Sequence, residues 1–415
     1  MTEELGASET AQYTSITTPR AGLPDVICSA KNLQQVAEDL SKLTGPIAID
    51  TERASGFRYG QRAYLVQLKR GNKTYLIDPT CFTDLAIVQE ALTGVDWILH
   101  AASQDLVCLA EIGLKPTALL FDTELAGRLL GLPRVGLGTL VESQLGFKLA
   151  KEHSAADWSK RPLPHDWLNY AALDVEFLIE LWKVLEVQLH EAGKFDWALE
   201  EFTYVRDNTL PITRSEPWRR TSGLHGARKP RQLAIVRELW ETREEIAQQK
   251  DMAPGRVLPD SSIIAIAHEV MESKEPLETL DVLNNRLTAR YRIKWVQAVR
   301  QALQISEENL PATKVQTSNP PAPRLWQERN PSAFAQLEQV RTQIAAISEK
   351  INIPVENLMS PDSIRRILWT PPHSEVELKL RFQELGVRNW QQELVGPILI
   401  KALFEPLQKV EKQTN

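Results

Sequence analysis

Four carboxylates fall in three short blocks, and each block lies beside the predicted end of a strand or helix. Asp50 and Glu52 follow the apolar run 46–49, which predicts a buried strand, and residues two apart on a strand point to the same face. Asp105 follows a second apolar run, 97–99, at the predicted start of a helix. Asp105 could thus reach the same edge of the sheet as Asp50 and Glu52, and a bound cation would offset the repulsion between carboxylates brought that close.

The third block places a phenol and a carboxylate on one helix. Tyr170 and Asp174 lie in a helix predicted from about residue 164 to 190, where a spacing of four residues puts both side chains on one surface. Two divalent cations held by carboxylate oxygens offer a direct way to cleave a phosphodiester by in-line attack of water. Each block alone is a weak signal. Their order within residues 50–174 favours a metal-dependent nuclease.

The residues around these blocks resemble ribonuclease D of the DEDDy 3′→5′ exonucleases, over about residues 25–205. The matching segments are Ile49-Asp50-Thr51-Glu52, Tyr64-Leu65-Val66-Gln67-Leu68, Leu99 to Leu106, Phe121-Asp122-Thr123, and His153 to Leu163 leading into Tyr170-Ala-Ala-Leu-Asp174. The resemblance implies an RNase H-like fold, two divalent metal ions (Mg or Mn) and stepwise release of 5′-mononucleotides from RNA 3′ ends. It also implies that the metal ligands are Asp50, Glu52, Asp105 and Asp174, and that Tyr170 orients the attacking water.

The chain departs from the family pattern at two places. Family members usually carry an aromatic residue directly after Asp-x-Glu, where it packs on a nucleotide, whereas this chain has Arg53 and Ala54. Phe57 and Tyr59 are the candidate substitutes. The second block also lacks the Asn-x3-Phe/Tyr-Asp form of proofreading exonucleases, which argues against a polymerase proofreading domain.

The C-terminal half repeats a helical pattern. Apolar residues recur at helical spacing over 233–247 and 337–347, and both segments contain Arg-x-x-Ile-Ala. A turn follows at Pro254 or Pro354, and then a second helix with a polar cap. The first repeat resembles the HRDC module of ribonuclease D and RecQ-type helicases, and the second is a more diverged likeness. This implies auxiliary domains that bind or position nucleic acid; the alternative, that both are packing modules of a ring or clamp, stays open.

These patterns together predict the domain organisation. We expect a disordered tail (1–23), an α/β RNase H-like mixed-sheet exonuclease domain (24–205), a basic linker (206–227), an all-α HRDC bundle (228–308), a Pro-rich linker (309–328) and a second, diverged all-α HRDC-like bundle (329–408). Strands are expected near residues 47–51, 63–69, 73–78, 96–100 and 118–121.

The basic residues are unevenly distributed along the chain. The net charge is −6, yet binding depends on the local field rather than on the average. A strip around Trp218 is strongly basic and could bind phosphates: Arg206, Arg214, Arg219, Arg220, Arg228, Lys229 and Arg231. The alternative is a solvated linker whose arginines pair with neighbouring acidic helices.

Composition is that of an intracellular enzyme, with 43% hydrophobic and 25% charged residues. The three cysteines, Cys28, Cys81 and Cys108, are predicted to form no metal-ligand or redox pair, and their odd, scattered number argues against a disulfide framework and for a reducing compartment. The first 23 residues are polar and no run is long enough to span a membrane. A cytoplasmic location without membrane association is expected, and the sequence does not predict the oligomeric state.

Several polar residues near the blocks have structural explanations. His100 could be a base, but a histidine that ends a strand is more often hydrogen-bonded to backbone. Asp122 before Thr123 is expected to cap a helix rather than to bind metal. Lys160 or Arg161 could contact the scissile phosphate, or could simply fix the segment before the Tyr170 helix.

The predicted function is that of a metal-dependent 3′→5′ exoribonuclease acting on the 3′ ends of structured RNA such as tRNA precursors. Two other functions stay open. One is a DNA exonuclease of the Werner-like branch, which shares the acidic blocks. The other is a non-catalytic RNA-binding scaffold, which is disfavoured because none of the four carboxylates and the tyrosine is missing.

Overall fold

A six-stranded mixed sheet organises the N-terminal half of the chain. The computed structural model describes residues 13–149, 156–209, 214–273, 275–286, 288–313 and 319–405. The sheet order is β2-β5-β4-β3-β6-β7, with strands β2 (Val26–Ile27), β3 (Ile47–Arg53), β4 (Ala63–Arg70), β5 (Lys73–Ile77), β6 (Trp97–Leu99) and β7 (Leu120–Asp122). The five strands predicted from the sequence are confirmed, and so is the α/β class of this region.

The central strand β3 brings the two halves of the sheet together. It pairs antiparallel with β4 and parallel with β6, so Asp50 lies opposite Gln67 near the middle of the sheet. In the described part of this domain, eight α-helices surround the sheet: α1 (Ala30–Lys42), α2 (Ala86–Ala91), α3 (Ser103–Glu111), α4 (Thr123–Leu129), α5 (Leu137–Leu145), α6 (His165–Glu176), α7 (Leu178–Glu191) and α8 (Phe195–Asn208).

The single helix predicted over residues 164–190 is wrong, because α6 ends at Glu176 and α7 begins at Leu178. Phe177 between them is buried, with the Arg20 guanidinium 4.7 Å from its ring centroid. The Glu176 carboxylate pairs with the Lys69 ammonium of β4 at 2.7 Å. The break therefore lets α6 attach to the sheet through Glu176 while α7 runs on into the core behind it.

Part of the predicted disordered tail is also ordered. Strand β1 (Thr14–Ile16) pairs in parallel with β8 (Phe147–Leu149), which follows α5. Residues 1–12 of that predicted tail lie outside the described residues. The N-terminal segment therefore belongs to the α/β domain from residue 13 onward.

Two helical bundles follow the α/β domain, as the repeat predicted. The first bundle contains α9 (Pro230–Gln249), α10 (Pro254–Val257), α11 (Asp260–Glu272), α12 (Asp281–Asn284) and α13 (Arg292–Gln304). The second contains α14 (Trp326–Arg329), α15 (Pro331–Ile351), α16 (Val355–Leu358), α17 (Pro361–Trp369), α18 (Glu375–Glu384) and α19 (Asn389–Phe404). In each bundle a long helix, α9 or α15, is followed by a one-turn helix at a proline and then by a further helix, which confirms the repeated pattern.

Two tryptophans placed by prediction in linkers are core residues. Trp218 is 3% exposed and packs in the core of the first bundle. Trp326 is fully buried in the core that includes the second bundle. The predicted linkers 206–227 and 309–328 are therefore partly built into the bundles, because a large apolar ring in a polar segment is buried wherever packing allows.

The two bundles join the α/β domain differently. The second bundle shares one continuous apolar core with it, in which Trp197 of α8 stacks on Trp390 of α19 with ring centroids 5.2 Å apart. The Glu201 carboxylate accepts hydrogen bonds there from the Trp390 indole at 2.9 Å and from Arg388 at 2.7 Å. The first bundle has an apolar core of its own. The second bundle is thus an integral layer of the α/β fold, whereas the first is attached at its surface.

The prediction that the cysteines form no pair is wrong. Cys28 and Cys81 form a disulfide across 53 residues, and Cys108 is free and buried. The parallel pairing of β2 with β5, in which Ile27 lies opposite Ile77, brings the two segments together. Strand pairing of this kind is decided by tertiary structure and leaves no mark in the cysteine spacing.

Among the described residues, none of the helices combines the length and the apolar character that a membrane span requires.

Candidate active site

Three of the predicted carboxylates meet at one point. Asp50 and Glu52 project from the central strand β3, and Asp174 projects from α6, which packs against that strand. Ligand oxygens of these three side chains all lie within 4.8 Å of one another. The spacing of two on the strand explains why Asp50 and Glu52 leave it on the same side. The strand and the helix together form an acidic cluster at the centre of the fold.

Asp105 lies in the same cavity but has its own anchor. It is the third residue of α3, as predicted, and its side chain is buried. The Thr51 hydroxyl donates a hydrogen bond to its Oδ1 at 2.7 Å. Thr51 points away from the side of Asp50 and Glu52 because side chains alternate along a strand, so the same strand both supplies two carboxylates and orients the carboxylate of α3.

Tyr170 lies one helical turn before Asp174, as the spacing of four predicted. Its hydroxyl is hydrogen-bonded to the Asp174 carboxylate, and its ring is 6.5 Å from that of buried Trp158. Burial, followed by the charges of Asp174 and Glu52, raises the pKa of Tyr170 well above its usual value. The phenol therefore keeps its proton and can donate a hydrogen bond within the cavity.

The acidic cluster opens into a cavity of about 330 Å³ that holds all five predicted site residues. Sequence reasoning did not assign roles to Arg53, Ser55 and Gln104, which also line this cavity. The Arg53 guanidinium donates a hydrogen bond to the Gln104 side-chain carbonyl at 2.9 Å. The signal for both residues was their position directly beside Glu52 and Asp105 in the sequence. Arg53 brings a positive charge to the rim of an otherwise acidic cavity.

Burial raises the pKa values of all four carboxyl groups, and the charge of at least one neighbouring carboxylate adds to each shift. The pKa of Asp50 is raised well above its usual value by burial and then by the charges of Asp105 and Asp174. Burial and the charge of Asp50 raise the pKa of Glu52 to about 10. Burial raises the pKa of Asp174 to about 7 and that of Asp105 to about 6, against the hydrogen bonds from Tyr170 and Thr51 respectively. Without a cation, the cluster binds protons in order to reduce its own repulsion.

The donor set fits a hard divalent cation. Four carboxylates converge on one cavity whose lining holds no cysteine, and their oxygens are ligands of the kind that Mg²⁺ and Mn²⁺ prefer. The ring of His100 also lines the cavity, but its Nδ1 is engaged with the Thr123 hydroxyl. Among the described residues, Arg53 is the only arginine or lysine that lines this cavity, which leaves most of the negative charge there without a counter-charge. A bound cation would supply that counter-charge.

His100 and Asp122 hold the local structure in place. His100 Nδ1 is 2.9 Å from the Thr123 hydroxyl, and burial lowers the pKa of the imidazole to about 4, so the ring is neutral near pH 7. Its partner is thus a side-chain hydroxyl rather than the expected backbone group. Asp122 caps α4 as predicted, because its carboxylate accepts hydrogen bonds from the backbone N–H groups of Glu124 and Leu125. The same carboxylate also accepts from Ala101 and Ala102, which precede α3.

Three of the residues suggested for nucleotide stacking or phosphate contact, Phe57, Tyr59 and Arg161, contact other parts of the protein. Phe57 lies under the Arg256 guanidinium, 4.2 Å from ring centroid to the guanidinium carbon, and Tyr59 packs against the core of the first bundle. The Arg161 side chain is paired with the Asp78 carboxylate and donates to the Tyr64 carbonyl at 2.8 Å. Arg161 thus fixes the segment before α6 to β4, in agreement with the structural alternative.

The basic strip divides into paired and free cations. Arg206, Arg219 and Arg231 form ion pairs with Asp207, Glu216 and Glu307 respectively. Four exposed residues of the strip form no ion pair with any described residue, namely Arg214, Arg220, Arg228 and Lys229. The pairing interpretation therefore holds for Arg206, Arg219 and Arg231, and phosphate binding by the other four residues stays a prediction.

Family models match most of the chain. A model described as "3'-5' exonuclease" matches residues 24–190, one described as "HRDC domain" matches 232–299, and one described as "3' to 5' exonuclease C-terminal domain" matches 319–403. The HRDC likeness is thus matched for the first bundle, and the second bundle matches a domain that accompanies 3′–5′ exonucleases.

Curated relatives and solved structures cover nearly the whole chain. Ribonuclease D of Cronobacter turicensis is 30% identical over 85% of this chain and 93% of its own length, and ribonuclease D of Escherichia coli is 29% identical over 86% and 93%. A crystal structure of a protein from Bifidobacterium adolescentis has a TM-score of 0.87 at 37% identity, covering 94% of this chain and 99% of that one. The crystal structure of Escherichia coli RNase D, described as an exoribonuclease involved in structured RNA processing, has a TM-score of 0.68 at 25% identity, covering 92% and 99%.

The full-length likeness, the exonuclease and HRDC matches and the acidic cavity agree with one another. They confirm the resemblance predicted from residues 25–205 and extend it across both bundles. The chain belongs to the ribonuclease D family and is a 3′→5′ exoribonuclease.

Proposed function

We propose that Asp50, Glu52, Asp105 and Asp174 hold two divalent metal ions, Mg or Mn, and that Tyr170 orients the water that attacks the terminal phosphodiester of RNA. The exonuclease family uses divalent metal ions, which supports the coarser part of this proposal. The observation that carries it is the meeting of three carboxylates within 4.8 Å in a cavity that a fourth also lines.

The chain's own groups account for the geometry of the reaction. Two carboxylates on one strand and one on α6 present oxygens to the same point, and the Thr51 hydrogen bond orients the fourth. When bound, divalent ions would activate water and stabilise the charge that develops on the phosphate oxygens. Tyr170 keeps its proton because its pKa is raised, so its hydroxyl is suited to hold and orient a water molecule. The products would be a 5′-mononucleotide and an RNA chain shortened by one residue.

We infer that the natural substrates are the 3′ ends of structured RNA such as tRNA precursors. Two features support this choice: the Escherichia coli relative is described as acting in structured RNA processing, and four free cations lie in the strip that leads to the first bundle. A cytoplasmic location, expected from the sequence, is part of the same proposal, and cell fractionation would test it.

One assay tests the proposed chemistry. Purified protein is incubated with end-labelled single-stranded RNA or DNA of the same sequence, with and without Mg²⁺, beside the Asp50→Asn variant. We expect mononucleotide release from RNA only with the ion, a lower rate on DNA, and none with the variant. Release of mononucleotides by the Asp50→Asn protein at the wild-type rate would refute the proposed metal site. Equal or faster cleavage of DNA would favour the DNA exonuclease alternative.

A further inference from the structure

The rim of the catalytic cavity continues into the loop that joins β3 to β4. Residues 54–62 follow directly after Arg53, and the strand register shifts between Glu52 and Arg53, as in a β-bulge. Arg53 and Ser55 both line the cavity. Any change in the position of this loop therefore moves one wall of the cavity.

The first bundle holds this loop by its backbone. The turn between α9 and α10 donates the Ala253 N–H to the Phe57 carbonyl at 3.1 Å, and the Arg256 side chain donates to the Gly56 carbonyl at 2.7 Å. The Arg256 guanidinium also lies over the Phe57 ring, at 4.2 Å from its centroid. Backbone contacts of this kind restrict the conformation of the loop itself and not only its side chains.

Asp251 in the same turn holds the far side of the loop. Its carboxylate accepts from the Tyr59 N–H at 3.3 Å and lies 3.6 Å from the Arg58 guanidinium. Burial, followed by the charge of nearby Glu244 on α9, raises the pKa of the Tyr59 phenol. Asp251 has a positive φ of 45°, a backbone conformation that Gly, Asn and Asp tolerate better than most other residues.

Arg58 extends these contacts to the other side of the active site. Its Nε donates to the Ser159 hydroxyl at 2.8 Å, and that hydroxyl donates to Asp157 at 2.6 Å. The segment 157–161 leads into α6, which carries Tyr170 and Asp174. A single turn of the first bundle is thus connected both to the loop after Glu52 and to the segment before Tyr170.

We propose that the turn 251–256 of the first bundle is a positioning element of the active site, which acts through the loop 54–59. Asp251 and Arg256 are the positioning residues, and they set the rate of cleavage without contacting the substrate. This inference rests on the proposed site in the α/β domain. The first bundle would then influence kcat for cleavage, in addition to any part it has in binding the body of an RNA.

The contact is suited to positioning rather than to overall stability. Arg256 and Asp251 are exposed, and polar contacts at a surface add little to the free energy of unfolding. Each domain also keeps its own apolar core when these contacts are lost. The expected effect is therefore a loosened loop in a folded protein.

Steady-state kinetics of the full-length protein test the proposal. We compare wild type, Asp251→Asn, Arg256→Gln and the conservative Arg256→Lys with a control, Arg300→Gln, which removes an exposed pair with Glu278 elsewhere on the same bundle. The substrates are a ribodinucleotide and a single-stranded RNA 20-mer, both with saturating Mg²⁺. Thermal unfolding and amide hydrogen exchange of residues 54–59 are measured on the same proteins.

Both Asp251→Asn and Arg256→Gln are expected to lower kcat about tenfold on the dinucleotide and the 20-mer alike, with KM little changed, since displacement of a catalytic wall by a fraction of an ångström suffices for such a loss. Amide exchange in the loop should become faster while the melting temperature stays within a degree or two of wild type. Arg256→Lys should recover part of the rate, and Arg300→Gln should match wild type.

Two results would overturn the inference. If Arg256 instead binds phosphate, Arg256→Gln raises KM for the 20-mer only, and Asp251→Asn, which removes a negative charge, lowers it. If both variants keep the wild-type kcat on the dinucleotide, the turn positions nothing. Either result leaves the proposed site standing, whereas an inactive wild type or an active Asp50→Asn variant would refute the site itself.

Discussion

Asp174→Asn is predicted to abolish hydrolysis and, in the absence of metal, to stabilise the protein. The Asp174 oxygens lie within 4.8 Å of those of Asp50 and Glu52. Two unit charges at that separation repel by about 3.5 kcal/mol at an effective dielectric constant of 20. The raised pKa values mean that the carboxyl groups share protons and relieve part of this repulsion, so we expect a gain of about 1–3 kcal/mol at pH 8.

The pH dependence of stability follows from the same shifts. The folded-state pKa values of Asp174, about 7, and Glu52, about 10, lie above those of the unfolded chain. Between the unfolded and the folded pKa values, the unfolded state therefore binds fewer protons than the folded state. The free energy of unfolding of the metal-free wild type should consequently fall from about pH 4 upward, until the folded groups have ionised. Asp174→Asn should show a shallower loss because one of the coupled groups no longer titrates.

Thermal unfolding with EDTA and with excess Mg²⁺ or Mn²⁺, at pH values from 5 to 9, measures both effects. With EDTA at pH 8 the variant should melt a few degrees above wild type, whereas the metal should raise the melting temperature of wild type much more than that of the variant. Asp166→Asn is the matched control, because Asp166 is on the same helix and exposed. A variant that melts below wild type in EDTA, or one that still cleaves RNA, would refute this reasoning.

The remaining predictions concern the tyrosine, the basic strip and a buried ion pair. Tyr170→Phe should lower kcat roughly 10²-fold with KM little changed, because it removes one positioned hydroxyl; a lower melting temperature with normal turnover in the folded protein would make the tyrosine purely structural. Removing residues after Tyr204 should leave cleavage of short oligonucleotides with Mg²⁺, at the lower rate expected without the turn 251–256, and should weaken binding of a tRNA-like precursor. Because it would also uncover the apolar surface beneath Trp390, substitution is the cleaner test of the basic strip. Arg220→Gln, Arg228→Gln and Lys229→Gln together should weaken binding of that precursor and make its salt dependence shallower by up to about two to three in log–log slope, while short substrates are unaffected; an unchanged slope would mean that the strip does not bind RNA. Lys69→Met should lower the free energy of unfolding by about 3 kcal/mol, because it leaves the buried Glu176 carboxylate with Arg20 as its ion-pair partner. Urea unfolding measures this loss, and an unchanged free energy would mean that the Lys69–Glu176 pair does not stabilise the fold.

Residue patterns in the sequence predicted which side chains of the site share a strand face or a helix face. Alternation along a strand and a spacing of four on a helix are local properties, so the shared face of Asp50 and Glu52 and that of Tyr170 and Asp174 could be predicted. The helix cap at Asp122 and the repeated bundles were predicted for the same reason, since caps and amphipathic periods depend on neighbours in sequence.

Other features depend on pairings between distant segments. The Cys28–Cys81 disulfide follows from the parallel pairing of β2 with β5, and the break at Phe177 follows from the Lys69–Glu176 ion pair and the packing of the ring. Neither the cysteine spacing nor helix propensity contains that information, because both features arise from contacts between residues tens of positions apart.

The sequence by itself determined which chemical groups are present and which of them share a strand face or a helix face. Only the tertiary structure decided that Asp174 approaches Asp50 and Glu52 within 4.8 Å. It also decided that the turn 251–256 of the first bundle is hydrogen-bonded to the loop 54–59 beside them. The reason is physical: local geometry directs a side chain over one or two turns, whereas the meeting of a strand, two helices and a separate bundle is fixed by the burial of their apolar faces.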